Sequence, residues 1–199
     1  MAKSDAELMK EFQAGREEAF AELVTRYKAP LLNFFYRLMW DRQLSEDFCQ
    51  EVFCRVFRHR RDYVPSAGFA TYLYRIGMNL WIDRYRSARN APRQVSLDME
   101  VGDGGHTVGG LIAADGNDPS HAPEVRDELG RVRGALNSLA PELRETLILV
   151  KYQGLKYGEA AEALGVPIGT VRSRIHAALE QVRSILRVPV GPAKGEDES

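Results

Sequence analysis

The stretch from Phe69 to Asn90 reads FATYLYRIGMNLWIDRYRSARN, in which Tyr72, Tyr74, Trp81 and Tyr85 interleave with Arg75, Arg84, Arg86 and Arg89 and with Asn79. Aromatic rings stack on unpaired bases, guanidinium groups hold phosphates, and a side-chain amide pairs with a base edge. That composition suits a single nucleic-acid strand. Each aromatic taken singly has another use, because Tyr and Trp also close the core of small helical domains.

A second stretch, LGVPIGTVRSRIHAALEQV from Leu164 to Val182, suits duplex DNA. Val171, Ile175, Ala178 and Val182 recur at spacings of four, three and four, which predicts one buried stripe of an α-helix. Gly169, Arg172, Ser173, His176 and Glu180 then share the opposite face, with Thr170 and Arg174 towards its edge. Upstream, GEAAEALG forms a short helix closed by Gly165 in the left-handed position, and Pro167 fits the first turn of the next helix. Two helices meeting across a tight corner outline a helix-turn-helix, whose second helix offers its N-terminal side chains to the major groove. The same outline fits any helical hairpin, and outward Arg is commonly a solvated surface.

A third stretch, SEDFCQEVFCRVF from Ser45 to Phe57, places Glu46, Asp47, Gln50, Glu51 and Arg55 in a dense polar patch suited to a protein partner bearing Arg. Cys49 and Cys54 point about 140° apart on a helix, so no disulfide is expected between them. Without the close pairing of a zinc site they read as buried or partly buried thiols. No nucleophile, base and orienter constellation, Gly-rich phosphate loop or metal cluster stands out; neither an enzyme nor a cofactor is expected.

These stretches need elements to position them. The 199 residues are 44% hydrophobic and 28% charged, as in soluble globular proteins. There is no apolar run long enough to cross a bilayer and no signal-peptide pattern, so no membrane insertion and a cytoplasmic location are expected. The net charge of −1 hides a strong asymmetry. Phe69 to Gln94 carries five Arg against Asp83, and Val166 to Val188 carries four Arg against Glu180. Val95 to Val125 carries six acidic residues and no Lys or Arg. Two basic helical regions thus flank an acidic stretch. That stretch, rich in Gly and Asp, lacks helical periodicity and predicts a linker between domains. It holds small apolar patches at Val95 to Leu97 and Leu111 to Ile112.

Everything before the linker reads as helix. Ser4 and Glu7 form a capping box, and Leu8 and Phe12 follow on one face. A pattern from Glu17 carries Phe20, Leu23, Val24, Tyr27, Leu31, Phe34, Phe35 and Leu38, with Pro30 expected to kink or split it. Ser45 is expected to cap a third helix, with Arg58, Arg60 and Arg61 at its negative end. Pro65 and Gly68 break the chain before a fourth helix with Leu73, Ile76 and Leu80 as its buried stripe. Beyond the linker, helices are expected near Val125 to Leu139 and Pro141 to Tyr152, followed by the helix-turn-helix. No strand or internal repeat is apparent. Residues alone leave two classes open: a helix-turn-helix regulator that binds only duplex DNA, and an adaptor that binds proteins.

The combination of SEDFCQEVFCRVF, FATYLYRIGMNLWIDRYR and LAPELRETLILVKYQGLKYGEAAEALGVPIGTVRSRIHAALE, in that order and spacing, resembles the bacterial extracytoplasmic-function sigma factors of the sigma-70 family. The resemblance spans nearly the whole chain. It implies an all-α fold of two small helical domains joined by a flexible acidic linker: residues 1–92 as region 2, 93–123 as linker, 124–188 as region 4, and 189–199 as a disordered tail. It implies an initiation subunit serving a subset of signal-responsive promoters. Its partners would be core RNA polymerase, promoter DNA as duplex and as melted non-template strand, and an anti-sigma factor. Glu46, Asp47, Gln50, Glu51 and Arg55 would bind the polymerase clamp helices. Tyr72, Arg75, Asn79, Asp83, Arg84 and Arg86 would hold the melted minus-ten strand, with Asn79 contacting an extruded base. Thr170, Arg172, Ser173, Arg174 and His176 would read the minus-thirty-five duplex.

The chain also departs from the family's pattern. Tyr72 stands where Trp is common. IGMN replaces a more usual Ala-Arg-Asn, so Gly77 is expected to loosen the helix and Met78 to remove a phosphate contact. Lys156 stands where Ser or Thr caps the first helix of the hairpin, and Ala177 and Leu179 replace frequent Arg. Each lost phosphate contact flattens the salt dependence of binding by about 0.9 in log-log slope.

Overall fold

A computed structural model describes residues 3–64, 68–90 and 123–186, with only the helical backbone for 85–90 and 123–129. The expected linker up to residue 122, its two apolar patches, the break at Pro65, the Arg86 side chain and the C-terminal tail lie outside the described residues.

Among the described residues every regular element is a helix: α1 (Asp5–Gln13), α2 (Glu17–Met39), α3 (Arg42–Arg58), a 3-10 turn (Arg60–Asp62), α4 (Phe69–Asn90), α5 (Pro123–Ser138), α6 (Pro141–Leu147), α7 (Tyr157–Leu164) and α8 (Ile168–Leu186). Residues Ile148–Tyr152 continue α6 as a π-turn. The capping box is present: the Glu7 N–H donates to Ser4 Oγ at 3.3 Å, and the Ser4 N–H donates to Glu7 Oε2 at 2.7 Å.

Leu8, Phe12, Leu23, Leu31, Phe34, Phe35, Val52, Val56 and Leu73 are almost completely buried where α1 to α4 meet. Side chains of this kind each stabilise the fold by about 1.5–3 kcal/mol. In the second half, Ile148, Leu149, Ala160, Val171, Ile175 and Ala178 do the same for α6 to α8.

Several expectations change. The third helix begins at Arg42 under Asp41, whose carboxylate accepts from the Leu44 N–H at 2.9 Å. Ser45 is instead buried within the helix, its hydroxyl donating back to the Asp41 carbonyl. An acceptor one turn earlier outcompetes it as the cap. Pro30 does not split α2, which runs unbroken through it; Leu31, Phe34, Phe35 and Leu38 anchor the C-terminal half in the core despite the N–H that proline lacks. Cys54 is exposed rather than partly buried, because it lies on the outward face of α3, while Cys49 is buried and burial pushes its thiol up to about 11.

α4 departs most. Ile76 and Leu80 are only half-buried, whereas Phe69, Leu73, Tyr74 and Met78 are buried. Gly77 serves close packing rather than looseness: a Cβ there would stand 3.2 Å from Phe35 Cζ. Met78 is fully buried, so that position faces the core and no phosphate contact is lost through it.

The reason is that α4 is covered on two sides. One side rests on α3 and, through the rings of Tyr27, Phe34 and Phe35, on α2, and the other packs against α7 of the second half. Trp81 Nε1 donates to Glu145 Oε1 at 2.7 Å, and the Tyr74 hydroxyl donates to Gln153 Oε1 at 2.7 Å. At the end of α2, Trp40 Nε1 donates to Asn137 Oδ1 at 2.6 Å, Arg144 Nη1 donates to the Leu38 carbonyl at 3.3 Å, and Arg37 lies over the Tyr152 ring at 4.7 Å. Trp40 holds a left-handed φ of 55°, a conformation that costs a side-chain-bearing residue about 1–2 kcal/mol.

Candidate polymerase and nucleic-acid interface

Three surfaces hold the residues singled out above. On α3, Glu46, Asp47 and Gln50 are exposed, and Glu51 and Arg55 are half-buried. Arg55 Nε donates to Glu51 Oε1 at 2.8 Å, and that hydrogen bond holds the Glu51 carboxyl below the usual carboxylate range. Arg42 Nε reaches Glu46 Oε1 at 3.1 Å. Asp47 and Gln50 are three apart, and Gln50 and Cys54 four apart, so the three share one face. Phe57, 38% exposed, continues it towards the C-terminus. Helical spacing from Gln50 could have marked Cys54 and Phe57 as members of this surface.

On α4, Tyr72, Arg75, Asn79 and Asp83 follow at spacings of three, four and four, which is one face of the helix. Arg75, Asn79, Asp83 and the neighbouring Arg84 are exposed, and Tyr72 is half-buried. Tyr72 stands edge-on to the buried Tyr63 at 5.0 Å and carries Arg75 over its ring at 5.8 Å. Burial pushes the Tyr72 hydroxyl above its ordinary pKa, so the ring stays neutral and usable as a stacking face. Tyr74 and Trp81, equally eligible on composition, are committed to contacts with α6 and the segment before α7.

On α8 the expected division holds. Val171, Ile175 and Ala178 are buried, Val182 is half-buried, and Gly169, Arg172, Ser173, His176 and Glu180 are exposed. Thr170 and Arg174 sit half-buried at the edge. Gly165 at φ 65° turns the chain between α7 and α8. Ser173 Oγ donates to the Thr170 carbonyl at 3.0 Å, which leaves its oxygen as an acceptor; His176 Nδ1 lies 3.7 Å from Glu180. Lys156 precedes α7, and its side chain, having no lone pair to offer, cannot accept from the first turn. Only the return half of a capping box forms there, the Lys156 N–H donating to Glu159 Oε2 at 2.7 Å.

Spacing did not reveal Glu145. It is 8% exposed, and burial pushes its carboxyl above the usual carboxylate range against the opposing hydrogen bond from Trp81. An acid three and four residues before the buried Ile148 and Leu149 signals that a donor must face it, though not which one.

Residues 23–91 match the family model for sigma-70 region 2, and residues 129–182 match that for sigma-70 region 4. The chain is 33% identical to the ECF RNA polymerase sigma factor SigW of Bacillus subtilis over 90% of its own length and 95% of that protein's. It is 30% identical to the RNA polymerase sigma-H factor of Pseudomonas aeruginosa over 93% and 95%. Among solved structures, CnrH in complex with the cytosolic domain of CnrY is similar in fold, with a TM-score of 0.67 at 24% identity over 92% of this chain and 97% of that one. The sigma factor RpoE of Bartonella quintana, in complex with the anti-sigma factor NepR, gives 0.62 at 20% identity over 85% and 98%. With the acidic face of α3, the polar stripe of α4 and the helix-turn-helix of α7 and α8 in place, the chain belongs to the extracytoplasmic-function sigma factors, promoter-recognising subunits of RNA polymerase.

Proposed function

We propose that the three surfaces divide the work of initiation as follows. Glu46, Asp47, Gln50, Glu51 and Arg55 on α3 bind the clamp helices of core polymerase. Tyr72, Arg75, Asn79, Asp83, Arg84 and Arg86 on α4 take the melted non-template strand of the minus-ten element. Thr170, Arg172, Ser173, Arg174 and His176 on α8 read the minus-thirty-five duplex. Residues 1–92 and 124–188 are the corresponding domains, joined by the acidic segment 93–123. The protein adds no bond-making chemistry of its own and acts through position and charge. Extruding a base costs about a few kcal/mol, which an amide on its hydrogen-bonding edge and a neighbouring aromatic ring offset. The observation that carries this reading is the stripe of half-buried Tyr72 and exposed Arg75, Asn79 and Asp83, which places a ring, a cation and an amide in line along one helix face.

Control by an anti-sigma factor is part of the proposal, supported by the similar fold of the sigma factor RpoE, solved with the anti-sigma factor NepR. The working location is the bacterial cytoplasm; no described helix is long and apolar enough to cross a membrane.

The test is run-off transcription from genomic fragments with core polymerase, comparing wild type with Asn79→Ala and with a charge reversal of Arg172 and Arg174. Wild type should generate new transcripts that weaken at least tenfold with Asn79→Ala and disappear with the reversal. A duplex-only regulator would bind its site without polymerase and leave start sites unchanged. An adaptor would keep its activity after the reversal.

A further inference from the structure

α1 ends on Gln13, and its last residues reach across to the turn that follows α3. Gln13 Nε2 donates to the Arg60 carbonyl at 2.8 Å and to the Tyr63 carbonyl at 2.9 Å. Two acceptors face the amide nitrogen, so both of its hydrogens are spent there. Phe12 adds a second hold: the Arg60 guanidinium lies over the Phe12 ring at 5.6 Å and over Phe57 at 5.0 Å, with Nη1 donating to the Phe57 carbonyl at 3.0 Å. The turn Arg60–Asp62 is thus pinned by the last two residues of α1. What the turn carries is Tyr63. That residue lies outside any helix and is buried, its ring edge-on to Tyr72 at 5.0 Å and to Phe69 at 6.4 Å. The inner side of Tyr72 therefore rests on a ring whose place follows the turn, and the turn follows Gln13. A binding group must be held within about 0.5 Å and 10–20° of its working geometry, which loops do less well than helices unless something fixes them.

We propose that Gln13 is a positioning residue for nucleic-acid stacking: through the turn Arg60–Asp62 and the ring of Tyr63, its amide sets the angle at which Tyr72 meets the melted strand. This rests on the assignment of Tyr72 to the minus-ten strand made above. Gln13 belongs to none of the three working surfaces, so its influence on the strand passes through Tyr63. The mechanism is preorganisation: a ring already fixed loses less freedom on binding than one that must be immobilised. What position 13 must supply is two donated hydrogens at about the reach of the amide. Lys carries three donors, Met has a similar length and none, and Glu sets a charged acceptor against two carbonyls. Helix propensity ranks all four residues nearly alike, so an order of Gln and Lys above Met, and Met above Glu, belongs to the hydrogen bonds and not to α1 as a helix.

Fluorine NMR of the full chain carrying meta-fluorotyrosine reads the ring directly, with the Tyr72 resonance assigned by its loss in Tyr72→Phe. Gln13→Met should shift and broaden that resonance, and Gln13→Lys should leave it where wild type has it. The second readout is the affinity of the protein with core polymerase for a fluorescein-labelled non-template strand, taken from a promoter mapped by run-off transcription. Gln13→Met should weaken it about fivefold, the size of coupling between residues in one contact network, and Gln13→Lys by less than about twofold. Affinity for core polymerase itself should stay unchanged in both. In a Tyr72→Ala background, Gln13→Met should cause no further loss. An unmoved Tyr72 resonance in Gln13→Met overturns the proposal. So does a Lys variant as weak as the Met variant, or a fivefold loss that persists without the Tyr72 ring. If Gln13→Met does not fold, Gln13→Lys against Gln13→Glu tests the same order, and equal resonances and affinities in those two overturn it. If Tyr72→Ala binds the strand as well as wild type, or wild type drives no transcript, the minus-ten assignment fails by itself, and the resonance still decides whether Gln13 positions the ring.

Discussion

α8 and α4 are two long helices of the same chain with similar patterns on paper and different fates in the fold. α8 has one buried stripe and one free face, so a 3.6-residue period maps directly onto inside and outside. α4 is clamped between two bodies. Its second buried side uses Tyr74 and Trp81, amphipathic residues that bury a ring and spend a polar hydrogen on the partner. Periodicity measures how apolar a face is. It is blind to a face buried through aromatic donors and a matching acceptor.

The largest effect expected from this difference is on stability within α8. Ile175→Ala should cost about 2–5 kcal/mol by cavity formation in the domain of α5 to α8, seen as a lower midpoint in urea. Arg172→Ala, one turn away on the exposed side, should change stability by less than about 0.5 kcal/mol while reducing the log-log salt slope of promoter binding by about 0.9. If the two substitutions lower the urea midpoint equally, the division of α8 into a buried and a working face is wrong.

Glu145 sharpens the other side of the comparison. Burial raises its carboxyl above the ordinary value of 4.5, with Glu142 adding to the rise and Trp81, Arg174 and Arg144 opposing it. A raised acid contributes stability that is fully present below the unfolded pKa and is lost as pH rises through the folded one. Wild type should therefore lose thermal stability relative to Glu145→Gln as pH is raised from about 4.5. A Tm difference that stays flat with pH would show that Glu145 is better solvated than its position between Trp81 and the α6 core implies.

What was legible follows the same line. The capping box at Ser4 and Glu7, the left-handed Gly165 and the stripe from Val171 to Val182 each depend on residues close in sequence, and each is found where local rules place it. The cap of α3 was missed because Asp41 and Ser45 are both good caps and only the fold chooses between them. Gly77 and Met78 were misjudged for a deeper reason. Read against the family's pattern they look like lost function, yet one makes room for Phe35 and the other fills the core. The contacts between the two halves could not be read at all, because Trp40 meets Asn137, and Trp81 meets Glu145, across the whole acidic segment.

A smaller effect tests the departure at the hairpin. Lys156→Ser restores an acceptor for the first turn of α7, whose capping box is otherwise half made. The domain of α5 to α8 should gain about 1 kcal/mol, read as a rise in its urea midpoint. No gain would mean that the Lys156 backbone is not held in the extended geometry that a capping hydroxyl needs.

The smallest effect concerns two glycines inside helices. Gly134 in α5 has open space where a Cβ would go, whereas Gly77 in α4 has Phe35 Cζ 3.2 Å away and Phe34 Cε1 at 3.7 Å. Alanine restricts the unfolded chain and favours helix equally at both sites, a gain of about 0.5–1 kcal/mol where nothing opposes it. Gly134→Ala should realise that gain. At Gly77 the added methyl must move a ring fixed between Phe34 and Phe48, and overpacking of this kind costs about 1–3 kcal/mol. Gly77→Ala should therefore be neutral to destabilising. Equal gains at both positions would mean that the Phe35 ring gives way freely, and that α4 rests on α2 less tightly than a helix held from two sides requires.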